Sequence, residues 1–259
     1  MSVDALCAGD ACEGVRVLGS FWPNSGTSFE SHLVKALKEA NPVGAFQPHI
    51  TELCRFYAMQ VARCVEGRRI DWVCRVLSSS ETQPQHTRPQ SLLLDLVRGH
   101  LGARDITHLF RKASNRPPMR TVPRLSGPDA LKPRIRYVLQ DLFISPVRLG
   151  GSVLLLDDIM NTGASMRVYA RALRDHAGVE SVFGVNLAVT RFSGGKDGWG
   201  MLKLDCMPTQ SQRGLRKTWI DASSVFHSRD DCPAISGRVS AEVRFMAERR
   251  ATPCAECRA

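Results

Sequence analysis

The stretch Val153-Leu-Leu-Leu-Asp-Asp-Ile-Met-Asn-Thr-Gly-Ala-Ser165 sets two chemistries side by side. Asp157 and Asp158 are paired carboxylates, able to accept hydrogen bonds from hydroxyl groups. Asn161, Thr162, Gly163, Ala164 and Ser165 form a small, hydroxylated loop that runs into a helical pattern. Free backbone N–H groups and the dipole at a helix start both favour an anion. The loop amides and the Thr162 and Ser165 hydroxyls suit a phosphate, while the carboxylates suit neighbouring sugar hydroxyls. A sugar phosphate satisfies both halves at once. A second constellation lies in the tail, where His227, Cys232, Cys254 and Cys257 are spaced His-x4-Cys, twenty-one residues, Cys-x2-Cys. A Cys-x2-Cys turn puts two sulfurs on one ion, and a Cys3His set gives the closed tetrahedral site of structural zinc. Free thiols, or a redox pair at Cys254 and Cys257, are the alternatives; such a pair normally opens a helix beside a strand. Cys7 and Cys12 are spaced loosely like a metal half-site, without a matching second half nearby.

These residues need elements to hold them. Val153–Leu156, after Gly150-Gly151, reads as a strand buried on both faces of a parallel sheet. The carboxylates then stand at its carboxyl end, where open α/β sheets bind ligands. The pattern predicts a helix from Met166 to His176. Upstream it predicts a strand at Val15–Phe21 and a helix at Thr27–Ala40, capped by Thr27 or Ser28. Leu33, Val34 and Leu37 face inward there, with Lys35 and Lys38 on or near the other face. A helix at Ile50–Val65 and a strand at Ile70–Leu77 follow. The turn Ser78-Ser79-Ser80-Glu81-Thr82 comes next, then a helix at Ser91–Leu101 and a strand at Asp105–Phe110. Cys54, Cys64 and Cys74 read as small buried hydrophobes. Arg111–Arg136 holds eight basic residues against one acidic, Asp129, with five prolines and little helical pattern. Such long loops are usually functional or disordered. This one could neutralise a phosphate, lie on a nucleic-acid backbone or simply be solvated. Ser181–Ala188 is a further buried strand, and the following linker has one apolar patch, Met201–Met207.

At 259 residues the chain has room for one α/β domain and a small appendage. No apolar run approaches the roughly 20 residues that span a bilayer, so no membrane role is expected. Met1–Val15 is acidic and lacks the n- and h-regions of a secretory signal, which points to the cytoplasm. Nine cysteines without such a signal imply reduced thiols and a metal rather than a disulfide framework. The formal charge is +10, and only seven of the 35 basic residues are Lys. Arginine richness fits either genomic base composition or anion binding. The charge admits nucleic acid or phosphorylated metabolites as partners.

Val153–Ser165 resembles the 5-phosphoribosyl-1-pyrophosphate (PRPP) signature of the type I phosphoribosyltransferases. It has four apolar residues, an acidic pair, two apolar residues and a Thr-Gly-x-Ser-like end. Asn161 departs from the family, which more often has Thr, Ser, Ala or Val there. Across roughly residues 65–192, Arg88-Pro89-Gln90, the Leu-rich helix, the basic segment and Leu187-Ala-Val-Thr-Arg191 are similar to the ComF (competence protein F) branch. The tail resembles a small bacterial zinc-binding unit related to that of the Ada repair protein.

The resemblance implies an α/β fold of the type I phosphoribosyltransferase kind, a Rossmann-like parallel sheet with flanking helices, plus a C-terminal zinc module. It divides the chain into a leader at 1–14, expected to be poorly ordered, a phosphoribosyltransferase-like domain at 15–192, a linker at 193–218 and a Cys3His module at 219–259. Asp157 and Asp158 would bind the ribose 2′- and 3′-hydroxyls. Asn161, Thr162, Gly163, Ala164 and Ser165 would hold the 5′-phosphate, and Ser78, Ser79 and Ser80 would face pyrophosphate. Mg2+ would accompany PRPP, and Zn2+ would sit in the tail. The implied activity is pentosyl (glycosyl) transfer of phosphoribosyl to or from a base in nucleotide metabolism. Two alternatives stay open: a non-catalytic nucleotide-binding protein acting with DNA or RNA through segment 111–136 and the tail, and a PRPP-sensing regulator. Residues 15–65 and 193–225 match no recognisable acceptor-base hood, so the base and turnover stay open, as does homo-oligomer formation.

Overall fold

A computed structural model of the chain describes residues 3, 6, 12–23, 28–40, 44, 47–122, 130–191 and 213–257. In chain order the first half comprises β1 (Gly14–Phe21), α1 (Phe29–Glu39), α2 (Gln47–Cys64), β2 (Trp72–Arg75), α3 (Pro89–Leu101), β3 (Arg104–Asp105) and β4 (Phe110–Lys112). Then come α4 (Leu131–Leu139), β5 (Leu142–Ile144), β6 (Ser152–Met160), α5 (Ala164–Ala177) and β7 (Ser181–Thr190). The tail adds β8 (Lys217–Ile220), β9 (Val225–His227), β10 (Ser240–Val243), a single helical turn at Arg244–Ala247 and β11 (Thr252–Pro253).

Five strands make one sheet in the order β1-β7-β6-β2-β3, and every pairing is parallel. This is the mixed α/β architecture with a parallel central sheet that the sequence leads one to expect. Leu154 and Leu156 of β6, with Phe183, Val185 and Leu187 of β7, pack on one face against α1, α2 and α3. Val153, Leu155 and Val182 pack on the other face against Met166, Tyr169 and Leu173 of α5. Both faces of β6 are therefore apolar, which is why its sequence does not alternate. Leu6 is buried against Ile135, Ala164 and Val168, and Cys12 lies in the α5-side core with Cys74. Among the described residues no helix is long and apolar enough to cross a membrane.

Three elements differ from expectation. β6 does not stop at Leu156 but runs to Met160, because Asp157, Ile159 and Met160 keep pairing with Asn186, Ala188 and Val189. The expected strand at Asp105–Phe110 is broken: a 3-10 turn at Thr107–Leu109 separates β3 from β4, which leaves the sheet and pairs antiparallel with β5. The basic segment is not all loop. Leu131, Ile135, Val138 and Leu139 recur at helical spacing and pack towards α5, and Pro133 falls in the first turn of α4, where proline is tolerated. Cys7 and the Met201–Met207 patch lie outside the described residues.

The tail strands form a four-stranded sheet, β10-β8-β9-β11. It does not stand apart: Leu215, Val243, Phe245 and Met246 belong to the same core as α1 and α2. His32 of α1 faces Glu242 of β10 at 3.2 Å, both buried, and His49 of α2 stacks on Phe245 with ring centroids 5.1 Å apart.

Candidate functional site

From β2 the chain crosses outward to β3, whereas from β6 it crosses the other way to β7. The switch point of a parallel sheet opens a crevice at the carboxyl ends of the diverging strands. Here those strands are β2 and β6, paired from Trp72↔Val153 to Arg75↔Leu156, with the Val76 amide on the Leu156 carbonyl at 2.9 Å. The Ser78–Ser80 turn and the Asn161–Ser165 loop leave from this edge.

Asp157 and Asp158 are successive residues of a strand, so their side chains go to opposite faces. Asp158 points to the α1 and α3 side, where Lys38 Nζ pairs with it at 2.9 Å and Gln90 Nε2 lies 3.5 Å away. Burial pushes Asp158 up, but the charge and hydrogen bond of Lys38 more than offset that and hold it below its usual range. Asp157 points to the α5 side. Burial, then the charge of Asp158, pushes its carboxyl up to about 7. The expected acid pair is thus one fixed anion and one group that gains its charge near neutral pH.

The serine turn is built by Glu81, which is fully buried. Its carboxylate accepts from both terminal nitrogens of the Arg75 guanidinium at 2.9 and 2.6 Å, from the Ser78 amide at 2.8 Å and from the Gln85 amide at 3.1 Å. Burial pushes Glu81 up, but Arg75 and the two amides outweigh it and hold the carboxyl below its usual range. Arg88 Nη2 donates to Ser80 Oγ at 2.9 Å. The basic segment reaches the same turn: Lys112 Nζ donates to the Ser78 and Ser79 carbonyls at 2.5 and 3.2 Å, and the Arg116 amide donates to the Ser79 carbonyl at 3.0 Å. Burial lowers the Lys112 pKa. Arg116 also forms an ion pair with Asp141.

At the other loop, Gly163 is the N-cap of α5 and sits in the left-handed region, φ 74°, where only glycine is comfortable. It brings no side chain to cap the first-turn amides. Thr162 Oγ1 is buried with no hydrogen-bond partner among the described residues. Asn161, oriented so that its carbonyl oxygen faces Arg134 of α4, accepts from Nη1 at 2.9 Å and Nη2 at 3.0 Å. Ser79, Ser165, Lys112, Arg116 and Tyr137 line one small, open cleft. The serine turn, the start of α5 and the basic segment therefore meet around a single space. Asp157 and Asp158 lie beside it and do not line it.

The tail residues converge as well. The ligand atoms of His227, Cys232, Cys254 and Cys257 all lie within 4.8 Å of one another, close enough to hold a metal ion. β11 makes this work: Thr252 and Pro253 pair with Val225 and Phe226, which sets Cys254 beside His227. Asp221 supports the site. Its carboxylate accepts from the Ser223, Val225 and Ser236 amides at 2.9, 3.1 and 3.0 Å and faces His227 Nε2 at 3.3 Å. Burial pushes Asp221 up, but the Ser236 and Val225 amides and the His227 ring outweigh it and hold the carboxyl at about 2. With Nε2 on Asp221, His227 turns Nδ1 towards Cys257 Sγ, 3.9 Å away.

Sequence reasoning did not find Lys38, Gln90, Glu81, Arg134 or Asp221. One of them had a signal. Ser78-x-x-Glu81 has the spacing at which a glutamate reaches back to a serine amide, and here it does so outside any helix. The others act across tertiary contacts.

The sequence matches no family model and no curated protein sequence. Among solved structures, a crystal structure of adenine phosphoribosyltransferase aligns with 61% of this chain and 98% of that one, at 16% identity and a TM-score of 0.32. At that score the likeness carries no weight for function.

Proposed function

We propose that the crevice between β2 and β6 binds a phosphorylated ribose, as Mg-PRPP or a nucleotide 5′-phosphate, and that the chain transfers phosphoribosyl to or from a base. The observation that carries this is the single cleft shared by Ser79, Ser165, Lys112 and Arg116, beside a strand end bearing two carboxylates. In this role the open amides of α5, with Thr162, Gly163, Ala164 and Ser165, take the 5′-phosphate. Ser78–Ser80 and the cations around them take pyrophosphate. Asp157 meets the ribose hydroxyls directly, while Asp158, held by Lys38, keeps a fixed negative charge under the sugar as positive charge develops at C1. Catalysis is then positioning and electrostatic stabilisation. The Asp157 carboxyl and the serine hydroxyls are oxygen donors, the set a hard cation accepts. Mg2+ would be held there mainly through its phosphates and water, neutralising their charge.

In the tail the fit is to Zn2+. Tetrahedral Zn–S bonds of about 2.3 Å place sulfurs about 3.8 Å apart, and Cys232 Sγ lies 3.8 Å from Cys254 Sγ. The carboxylate–histidine contact of Asp221 is the usual outer support of such a site. We assign this zinc a structural role in a unit spanning about residues 219–259.

The test is pyrophosphate release from Mg-PRPP across a panel of purine and pyrimidine bases. Release with one base, absent in Asp157→Asn/Asp158→Asn, is expected. PRPP binding without release from any base would replace transfer with ligand sensing. A nucleic-acid role draws on one observation: Phe143, 59% exposed, lies directly across from Arg111 on the β4–β5 ribbon, an aromatic beside a cation as single-strand binders use. Phe143→Ala should then weaken binding of a single-stranded oligonucleotide.

A further inference from the structure

α4 carries three cations in its first two turns, and they are not alike. Lys132 and Arg136 are exposed, whereas Arg134 is only 4% exposed. The reason is the packing of α4 on the start of α5: Ile135 lies with Ala164 and Val168 in one cluster. Docked there, Arg134 is laid over the Asn161–Gly163 loop, and burial lowers its pKa. Both terminal nitrogens of its fork meet one atom, Asn161 Oδ1, at 2.9 and 3.0 Å. The next residue contributes a buried Thr162 hydroxyl oxygen without a partner among the described residues. The one after is the bare Gly163 cap. A guanidinium fork, a hydroxyl and uncapped amides thus converge on one loop.

A neutral amide oxygen is a weaker acceptor for a guanidinium fork than two oxygens of a phosphate, which match it in charge and spacing. We infer that Arg134 is the residue through which this loop selects a phosphomonoester dianion. On ligand entry its fork exchanges Asn161 Oδ1 for two phosphate oxygens, and Asn161 is one of the acceptors that orient the fork until then. This gives a physical purpose to an asparagine at a position where a smaller residue would otherwise suffice. The selected ligand class is a sugar or nucleoside carrying a terminal 5′-phosphate. The inference rests on reading Thr162–Ser165 as the phosphate loop; the Asn161 side chain, turned to Arg134, holds the fork and not the anion.

Calorimetric titration of ribose 5-phosphate into wild type, Arg134→Met, Arg134→Lys and Asn161→Ala tests it. Loss of a charged hydrogen-bond pair should weaken binding about 10- to 100-fold in Arg134→Met. Arg134→Lys should recover part of that loss, which a purely structural role would not produce. Asn161→Ala removes one competing acceptor and should bind at least as tightly as wild type. It keeps the test open should Arg134→Met fail to fold. Folded Arg134→Met binding within about twofold of wild type, or an Asn161→Ala protein that binds markedly worse, overturns the role of Arg134 and leaves the phosphate loop standing. Wild type that does not bind ribose 5-phosphate at all overturns the loop assignment, and this inference with it.

Discussion

Asp157 shows how burial at a strand end ties stability to pH. Its carboxyl is raised to about 7, by burial and then by the neighbouring Asp158 charge. In the unfolded chain it ionises near the ordinary value of about 4. Between those limits the folded state holds the extra proton, so this group lowers stability as pH rises from about 4 to about 7 and is constant above. Asp158 works in the opposite sense. Lys38 holds its folded pKa below the usual range, so its contribution is present at neutral pH and lost in acid. Asp157→Asn is therefore expected to stabilise the fold at pH 8 by on the order of 1 kcal/mol or more, since one pKa unit is worth about 1.4 kcal/mol. At pH 4 it should change little. Urea unfolding at the two pH values reads this. Equal destabilisation at both would mean that folding leaves the Asp157 pKa near its ordinary value.

At the scale of elements, the β6–α5 connection is the decisive joint. Only Asn161, Thr162 and Gly163 separate strand from helix, and the turn closes because Gly163 adopts φ 74°. A Cβ there would meet nothing closer than Met160 Sδ at 3.8 Å. The cost of Gly163→Ala is thus conformational rather than steric, about 1 kcal/mol, with the first-turn amides displaced. A small fall in melting temperature, alongside an about tenfold or larger loss of phosphate affinity, is expected from calorimetry and thermal unfolding. Unchanged phosphate affinity would show that these amides are not the anion site. This joint was legible because its signal is local: an apolar run, two acids and a small-residue loop within thirteen residues. The reach of β6 to Met160 was not, because it depends on β7 continuing to offer partners through Val189. The α4 helix was hidden for a different reason. Its apolar positions are separated by Arg134 and Arg136, and Pro133 reads as a breaker until its place in the first turn is known. Nor could any local pattern have shown that Lys38, on the outer side of an amphipathic helix, ends on Asp158.

At the scale of the molecule, α1 joins two centres that look separate in the sequence. His32 meets Glu242 of the tail sheet, and Lys38 meets Asp158 at the crevice. The four tail ligands could be picked out by spacing alone, but their unit shares its core with α1 and α2, which spacing does not reveal. If the tail holds the proposed zinc, chelation, or Cys254→Ser, should therefore lower the stability of the whole chain, in a single transition monitored by both far-ultraviolet circular dichroism and tryptophan fluorescence. Two resolved transitions, with the first alone sensitive to chelator, would make the tail an independent unit. The proposed function rests on the crevice, and Mg-PRPP binding tests it most directly. In calorimetric titration with Mg2+ present, wild type should bind saturably and Asp157→Asn/Asp158→Asn should bind at least about tenfold more weakly. Folded wild type that shows no binding, or a double variant that binds as well as wild type, would contradict the assignment.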